Sequence, residues 1–285
     1  MSQAAARQPE TEGEFELRDE DFNALRTLVK QHTGINLGAE KRALVYSRLA
    51  RRLRALGLDS FKAYRRHLEQ GDGAELAEFR NAVTTNLTSF FREAHHFEYL
   101  RDRILRPRMA ETGGSRRLRI WSAGCSTGEE PYSIAITVLE TLRDLRQWDV
   151  RILATDLDSQ VLATASRGAY AQDRIAGLSP ERKERFFSPP AAGAAPAHTA
   201  AAELRELITF KQLNLMNELP MKGPFDAIFC RNVVIYFDKE TQRGLFARMA
   251  RLQRPGDLLF IGHSENLSRI SDAYTLLGKT LYRRN

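Results

Sequence analysis

Two periodicities divide the chain. Up to about residue 100, apolar positions recur at helical spacing. Val45, Leu49, Leu53 and Leu56 form such a stripe in "EKRALVYSRLARRLRALG", which closes on Gly57. "DEDFNALRTLVKQHTG" opens on acidic residues and ends at Gly34, and "DSFKAYRRHLEQG" and "GAELAEFRNAVTTN" complete a small helical bundle. "FFREAHHFEYLRDRILRPRM" predicts a helix that bridges into the second half and stops near Pro107. From Leu118 onward the pattern alternates. "LRIWSAG", "VRILATD", "LITFKQLN", "FDAIFCRN" and "DLLFIGHS" read as strands, with helical segments between most of them. That alternation predicts an α/β fold with a mostly parallel sheet covered on both faces. Two short β-like runs about Gly278 predict an antiparallel C-terminal hairpin. The Pro/Ala-rich "FFSPPAAGAAPAHTAAAELREL" breaks the alternation and reads as a surface insertion.

Composition narrows the class. An apolar fraction of 42% and a charged fraction of 28% are those of a soluble globular protein. The opening "MSQAAARQPETEGEFE" lacks a basic-then-apolar signal and reads as a disordered lead-in over residues 1–18. Cys125 and Cys230 lie far apart without metal-ligand spacing, so a reducing, cytoplasmic setting is expected. Net charge is +7, and its distribution matters more than its size. Between Lys41 and Arg66 stand nine basic residues and one acid, Asp59, an excess of +8 in this segment alone. Arg48, Arg51 and Arg54 fall on the side away from the apolar stripe, a face suited to an acidic partner.

Candidate chemistry clusters where the strands end, the place where open α/β sheets bind ligands. "WSAGCSTGEEPYS" follows the first strand with a nucleotide-type turn, yet it has no Walker lysine and no G-x-G-x-x-G. Glu129 and Glu130 would repel phosphates there. They either complement the helix dipole or face a cationic nucleoside, and S-adenosylmethionine (SAM) is such a ligand. Asp156 ends the second strand, placed to accept hydrogen bonds from ribose hydroxyls. Asn214 follows the third strand, either reading an adenine edge or capping its loop. "CRNVVIYF" follows the fourth, where one helical turn would carry Asn232 and Tyr236 together over the pocket. "TTNLTSFFRE" could form a lid from which Arg92 reaches an anion. His95 and His96, adjacent on a helix, are expected to face apart and to make poor joint metal ligands. His263 reads as a satisfied loop histidine, and Cys125 has no partner that would make it a nucleophile.

Taken together, "TTNLTSFFREAHHF", "IWSAGCSTGEEPYSIAI", "ATDLD", "GPFDAIFCRNVVIYFDKETQ" and "LLFIGHSEN" resemble the chemotaxis protein methyltransferases of the CheR family, in order from about residue 20 to 285. The resemblance implies a SAM-dependent enzyme that esterifies glutamates of methyl-accepting chemotaxis receptors. A cytoplasmic monomer is expected, and the transfer itself requires no metal. The resemblance also implies an N-terminal all-helical domain over 19–92, a bridging helix over 93–117, and a Rossmann-like class I methyltransferase domain over 118–285 with an inserted subdomain at about 172–207. The family's SAM contacts fall on Asn86, Thr88, Arg92, Glu130, Asp156, Asn214, Leu215, Arg231 and Asn232. Its catalytic positions fall on Arg92 and Tyr236, and its receptor-binding helix on Lys41 to Leu56, with Arg48, Arg51 and Arg54. In many relatives a β-subdomain holds a tethering peptide from the receptor; here Ser188 to Leu207 shows little β-propensity, so tethering is not expected. A nucleic-acid methyltransferase using the basic patch is the alternative, although the Pro-Pro motif of that class and interleaved aromatics are missing. A SAM-binding regulatory module without activity is a third reading.

Overall fold

The computed structural model describes residues 14–71, 73–111, 114–190 and 197–285. Most of the expected N-terminal lead-in and the middle of the Pro/Ala-rich interval lie outside these residues. The chain divides into two units, one running to Gln31 and then from Leu37 to Val83, the other made of His32–Asn36 with Thr84–Asn285. The boundary at Val83 falls short of the residue 92 expected from sequence, so the whole "TTNLTSFFRE" stretch belongs with the sheet.

The first unit is helical: α1 (Asp19–Thr33, whose last two residues belong to the second unit), α2 (Arg42–Leu56), α3 (Phe61–Gln70) and α4 (Ala74–Val83). Val45, Leu49 and Leu53 of α2 are buried as the stripe predicted, and Gly57 caps the helix in the left-handed conformation. Ser60 caps α3 by accepting from the Ala63 amide. Tyr64 donates to the buried Glu75, which also receives Arg52, so a carboxylate inside this unit has two partners.

The second unit opens with one continuous helix. α5 (His95–Tyr99) passes through a π-helical turn at Leu100–Leu105 into α6 (Arg106–Ala110). The helix therefore does not stop at Pro107. The widened turn ahead of the proline relieves the clash and the missing donor that would break a regular helix. Next come β1 (Arg117–Ala123), α7 (Glu129–Thr141), β2 (Asp149–Asp156), α8 (Ser159–Arg167), β3 (Ala169–Ala171), α9 (Pro180–Phe186), β4 (Phe187–Ser188), β5 (Ala197–Ala200) and α10 (Ala202–Glu206). The chain ends with β6 (Ile208–Gln212), β7 (Ala227–Cys230), α11 (Lys239–Arg251), β8 (Leu258–Ile261), β9 (Tyr274–Gly278) and β10 (Leu281–Arg284). Among the described residues no helix is long and apolar enough to cross a membrane.

The main sheet has seven strands in the order β6-β2-β1-β7-β8-β10-β9. β6, β2, β1, β7 and β8 run parallel, while β10 is antiparallel to both its neighbours. β7 and β8 are buried at every position, the mark of parallel strands covered on both faces. The strand order reverses between β1 and β7, and the crevice at that switch point opens at the carboxyl ends.

The insertion corrects an expectation. β3, β5 and β4 form a separate three-stranded antiparallel sheet with β5, of sequence Ala-His-Thr-Ala, at its centre. Local propensity missed it because pairing on both edges, not side-chain preference, holds this strand. The insertion's sheet thus begins at Ala169, ahead of residue 172.

Candidate functional site

The turn after β1 sets the site. Gly124 and Cys125 both donate to the Thr155 carbonyl, at 2.8 and 2.9 Å, which pins the turn against the end of β2. Gly124 has φ +88, and a Cβ there would stand 2.4 Å from the Val233 side chain, so this position requires glycine. Ser126, at φ 50, donates its amide to Asp156 Oδ2 at 2.8 Å and its hydroxyl to the Asn86 carbonyl at 2.8 Å.

The two consecutive acids of α7 part ways. Glu129 is fully buried and turns from the pocket to Arg174, whose Nε lies 3.0 Å from Oε1, and to the Thr127 hydroxyl at 2.6 Å. Glu130 lines the pocket, accepting from Ser122 Oγ at 2.7 Å and from Arg231 Nη1 at 2.9 Å. Burial pushes the Glu130 carboxyl up, against the pull of Arg231.

Asp156 stands at the end of β2 with Oδ1 accepting from the Asp158 amide at 3.0 Å. Burial moves its pKa from 3.8 to about 6, with the Asp158 charge adding to the rise and the amide hydrogen bonds opposing it. Each oxygen keeps a lone pair for a ligand hydroxyl. Asp158, which sequence reasoning passed over, anchors the start of the 84–93 stretch: it accepts from Thr84 Oγ1 at 2.9 Å and Asn86 Nδ2 at 2.8 Å while capping α8. A raised carboxyl pKa means stability that is present at acid pH and lost as pH rises through about 6. Ligand binding has the opposite sign, because the charged carboxylate accepts from two hydroxyls, whereas protonation turns one of its oxygens into a donor. SAM affinity is therefore expected to be flat above pH 7 and to fall below about pH 6, with the Asp156→Asn variant showing no such bend in a calorimetric titration series.

Asn214 resolves toward its loop. Its Oδ1 accepts from the Met216 amide at 3.0 Å and its Nδ2 donates to the His32 carbonyl at 2.8 Å. Of the two readings open from sequence, the loop cap is the one these bonds make, and Asn214 also lines the pocket wall beside the buried Leu215. Thr33 and Ile35 also line the pocket, from a segment whose sequence carries no site-like signal.

Beyond β7 the chain does not make the expected turn of α-helix. Asn232 is left-handed, at φ 59, and Val234–Tyr236 is a 3-10 turn. Glu265, from "IGHSEN", holds this irregular turn: its buried carboxylate accepts from the amides of Asn232 at 2.9 Å, Val234 at 2.8 Å and Ile235 at 3.3 Å, and also from that of Gly262. Its signal in the sequence is an acid two residues beyond His263, in the loop that follows the last parallel strand. Replacing Glu265 with alanine strands several donors, each worth about 1–3 kcal/mol when buried. The expected result is a melting temperature lowered by several degrees and a loss of turnover larger than the loss of SAM binding.

Arg231 is buried and built into the wall rather than extended toward a ligand. Besides Glu130 it bonds the Arg92 carbonyl, and its guanidinium lies 5.6 Å from the Phe97 ring centroid. Arg92, half-buried, sits between two left-handed residues, Phe91 at φ 54 and Glu93 at φ 58, and donates Nη1 to the Leu87 carbonyl at 2.9 Å. Asn86, Thr88, Arg92, Glu130, Asp156, Asn214, Leu215, Arg231, Asn232 and Tyr236 all line this one pocket. Arg48, Arg51 and Arg54 belong to the other unit. His95 and His96 depart from expectation, because their rings meet with centroids 4.2 Å apart. His263 does have a partner, Glu93 Oε1, at 3.1 Å.

A reversing parallel sheet with an antiparallel strand inserted near one edge and a carboxylate at the end of β2 suit a nucleoside ligand, as a SAM-dependent methyltransferase requires. Residues 86–283 match the family described as CheR methyltransferase, SAM binding domain, and residues 20–84 match CheR methyltransferase, all-alpha domain. The chain belongs to the CheR methyltransferase family. It is 47% identical over 273 residues to chemotaxis protein methyltransferase 2 of Pseudomonas aeruginosa, covering 94% of each chain. It is 43% identical over 272 residues to the chemotaxis protein methyltransferase of Escherichia coli, covering 93% of this chain and 91% of that one. With the Klebsiella aerogenes protein of that name it shares 45% over 273 residues, covering 93% and 90%.

Proposed function

We propose that this protein transfers the methyl group of SAM to glutamate side chains of methyl-accepting chemotaxis receptors, forming methyl esters for sensory adaptation. The observation that carries this reading is the pocket at the sheet's switch point, where Glu130 and Asp156 stand in place of a phosphate cradle, in a chain related to chemotaxis methyltransferases along nearly its whole length. SAM supplies an activated methyl on a sulfonium. Asp156 accepts the ribose hydroxyls, and Glu130 with the surrounding wall balances the ligand's positive charge. A receptor glutamate has an ordinary pKa of ~4.3 and arrives already ionised, so no general base is needed. The residues' task is alignment, which can supply about 7–11 kcal/mol. Tyr236, half-buried on the pocket wall, aims the incoming carboxylate. Arg92 holds the carboxylate of the methionine moiety, since a tight arginine on the nucleophile would blunt it.

The basic helix α2 is proposed to dock on the acidic cytoplasmic coiled coil of the receptor. Its charge is partly spent within its own unit: Arg52 pairs with Glu75 and Glu78, Arg42 with Asp19, and Arg54 with Glu14 in an exposed pair. Arg48 donates to the Ala82 carbonyl at 3.4 Å. Arg51 is exposed and has no partner among the described residues. This thinner basic face weighs against a nucleic-acid substrate. Arg51→Glu is expected to lower kcat/KM for receptor methylation about tenfold at low salt, the gap closing as salt screens the surface. An unchanged rate would make α2 an ordinary solvated face.

The test of the function is methyl transfer from tritiated SAM to receptor-containing membranes, read as alkali-labile volatile methanol. Label that disappears when the receptor glutamates are replaced by alanine supports the proposal. Label on RNA or DNA with none on receptors overturns it.

A further inference from the structure

The strained turn after Arg92 brings together three side chains that the proposed reaction does not use. Glu93, His95 and His96 each offer one ligand atom, and these atoms lie within 4.8 Å of one another. Glu93 Oε2, His95 Nε2 and His96 Nδ1 are all buried without a hydrogen-bond partner. His96 is fully buried, and its other nitrogen, Nε2, lies 2.9 Å from Thr280 Oγ1, which fixes the ring with Nδ1 facing the cluster. Nδ1 stands 3.7 Å from Glu93 Oε2, too far for a hydrogen bond and near enough to share an ion.

We propose that Glu93, His95 and His96 form a binding site for one divalent transition-metal ion of the class that imidazole and carboxylate ligands favour, such as zinc or cobalt. Ligands ~2.1 Å from a tetrahedral ion lie ~3.4 Å apart, so a pair as wide as 4.8 Å must close by about 1.4 Å on binding, which side-chain rotation has to supply. The protonation states suit it. Burial, with Arg231 second, lowers His96 to about 3, and burial, with Lys279 second, lowers His95, so both rings are neutral. Burial pushes Glu93 up, but Arg231 and His263 outweigh it and hold the carboxyl below its ordinary value. Arg231 and Lys279 are the cations facing the cluster, and Arg231 Nη2 stands 3.5 Å from Glu93 Oε2. The ion competes with Arg231 for that oxygen.

Arg231 also braces Glu130 and the Arg92 carbonyl on the pocket wall. A bound ion therefore weakens SAM binding, and SAM weakens the ion's binding by the same factor. This coupling rests on the pocket being a SAM site; the ion site itself does not.

The experiment is titration of the untagged full-length chain with Co²⁺, followed by visible absorption. The expected result is a band saturating at one ion per chain, displaced by Zn²⁺, with half-saturation shifted about tenfold or more in His95→Ala and in His96→Gln. No saturable band, or a band that survives unchanged in both variants, overturns the site. SAM calorimetry with and without Zn²⁺ reads the coupling, and an unchanged SAM affinity sinks that part. A chain that binds Co²⁺ as described but never binds SAM would instead refute the proposed function.

Discussion

Asp156→Ala is expected to weaken SAM binding about a hundredfold at pH 7.5. Two hydrogen bonds from ribose hydroxyls to a carboxylate are worth about 1.5–3 kcal/mol each, and ~1.4 kcal/mol is tenfold in Kd. The substitution also removes the acceptor for the Ser126 and Asp158 amides, so the turn after β1 and the start of α8 lose a shared post. Isothermal titration of the variant, beside its melting curve, separates the two effects. Kd is expected to rise far more than stability falls, because burial already pushes this carboxyl up to about 6 and makes its charge a cost to the folded chain. A Kd within threefold of the parent would remove Asp156 from the ligand.

Arg92→Ala separates two roles for one guanidinium. If Arg92 pairs with the methionine carboxylate, the variant should bind SAM about 30- to 100-fold more weakly, the loss of one charge-assisted pair of about 2–3 kcal/mol. Turnover at saturating SAM should then recover much of its parent value. If Arg92 instead clamps the receptor glutamate, SAM binding is unchanged and turnover collapses at every SAM concentration. Arg92→Lys adds a second reading, since lysine keeps the charge and loses the fork, so partial rescue of Kd supports the carboxylate pairing. Because Arg92 lies between left-handed Phe91 and Glu93, its backbone direction is set by the turn, and both substitutions leave that turn in place.

Much of this was legible without coordinates wherever local rules act alone. The stripe of α2, the buried runs of β7 and β8 and the antiparallel hairpin about Gly278 follow from periodicity, and the structure has all three. Glu129 and Glu130 beside a turn without a Walker lysine pointed to a cationic nucleoside for chemical reasons that need no distant neighbours, and the structure leaves only Glu130 of the two in the pocket. Where sequence reasoning stopped short or went astray, a partner outside the local pattern had decided the matter. Asn214 stood between two readings, and the Met216 amide and the His32 carbonyl make it a cap of its loop. Asn232 and Tyr236 looked like one helical turn, but Glu265, far along the chain, holds the amides of Asn232, Val234 and Ile235 in an irregular one.

The amino-acid sequence by itself determined the class of fold, the strand ends that carry the chemistry and the kind of ligand they suit, because period, charge sign and motif spacing act within a few residues. Only the tertiary structure decided which way Glu129 and Glu130 point, that Arg231 braces the wall, that β5 forms between two edges, and that Glu93 meets two histidines. Each of those depends on burial and on hydrogen-bond partners from other elements, and the free energy of an unpaired buried group is settled only when the chain has closed around it.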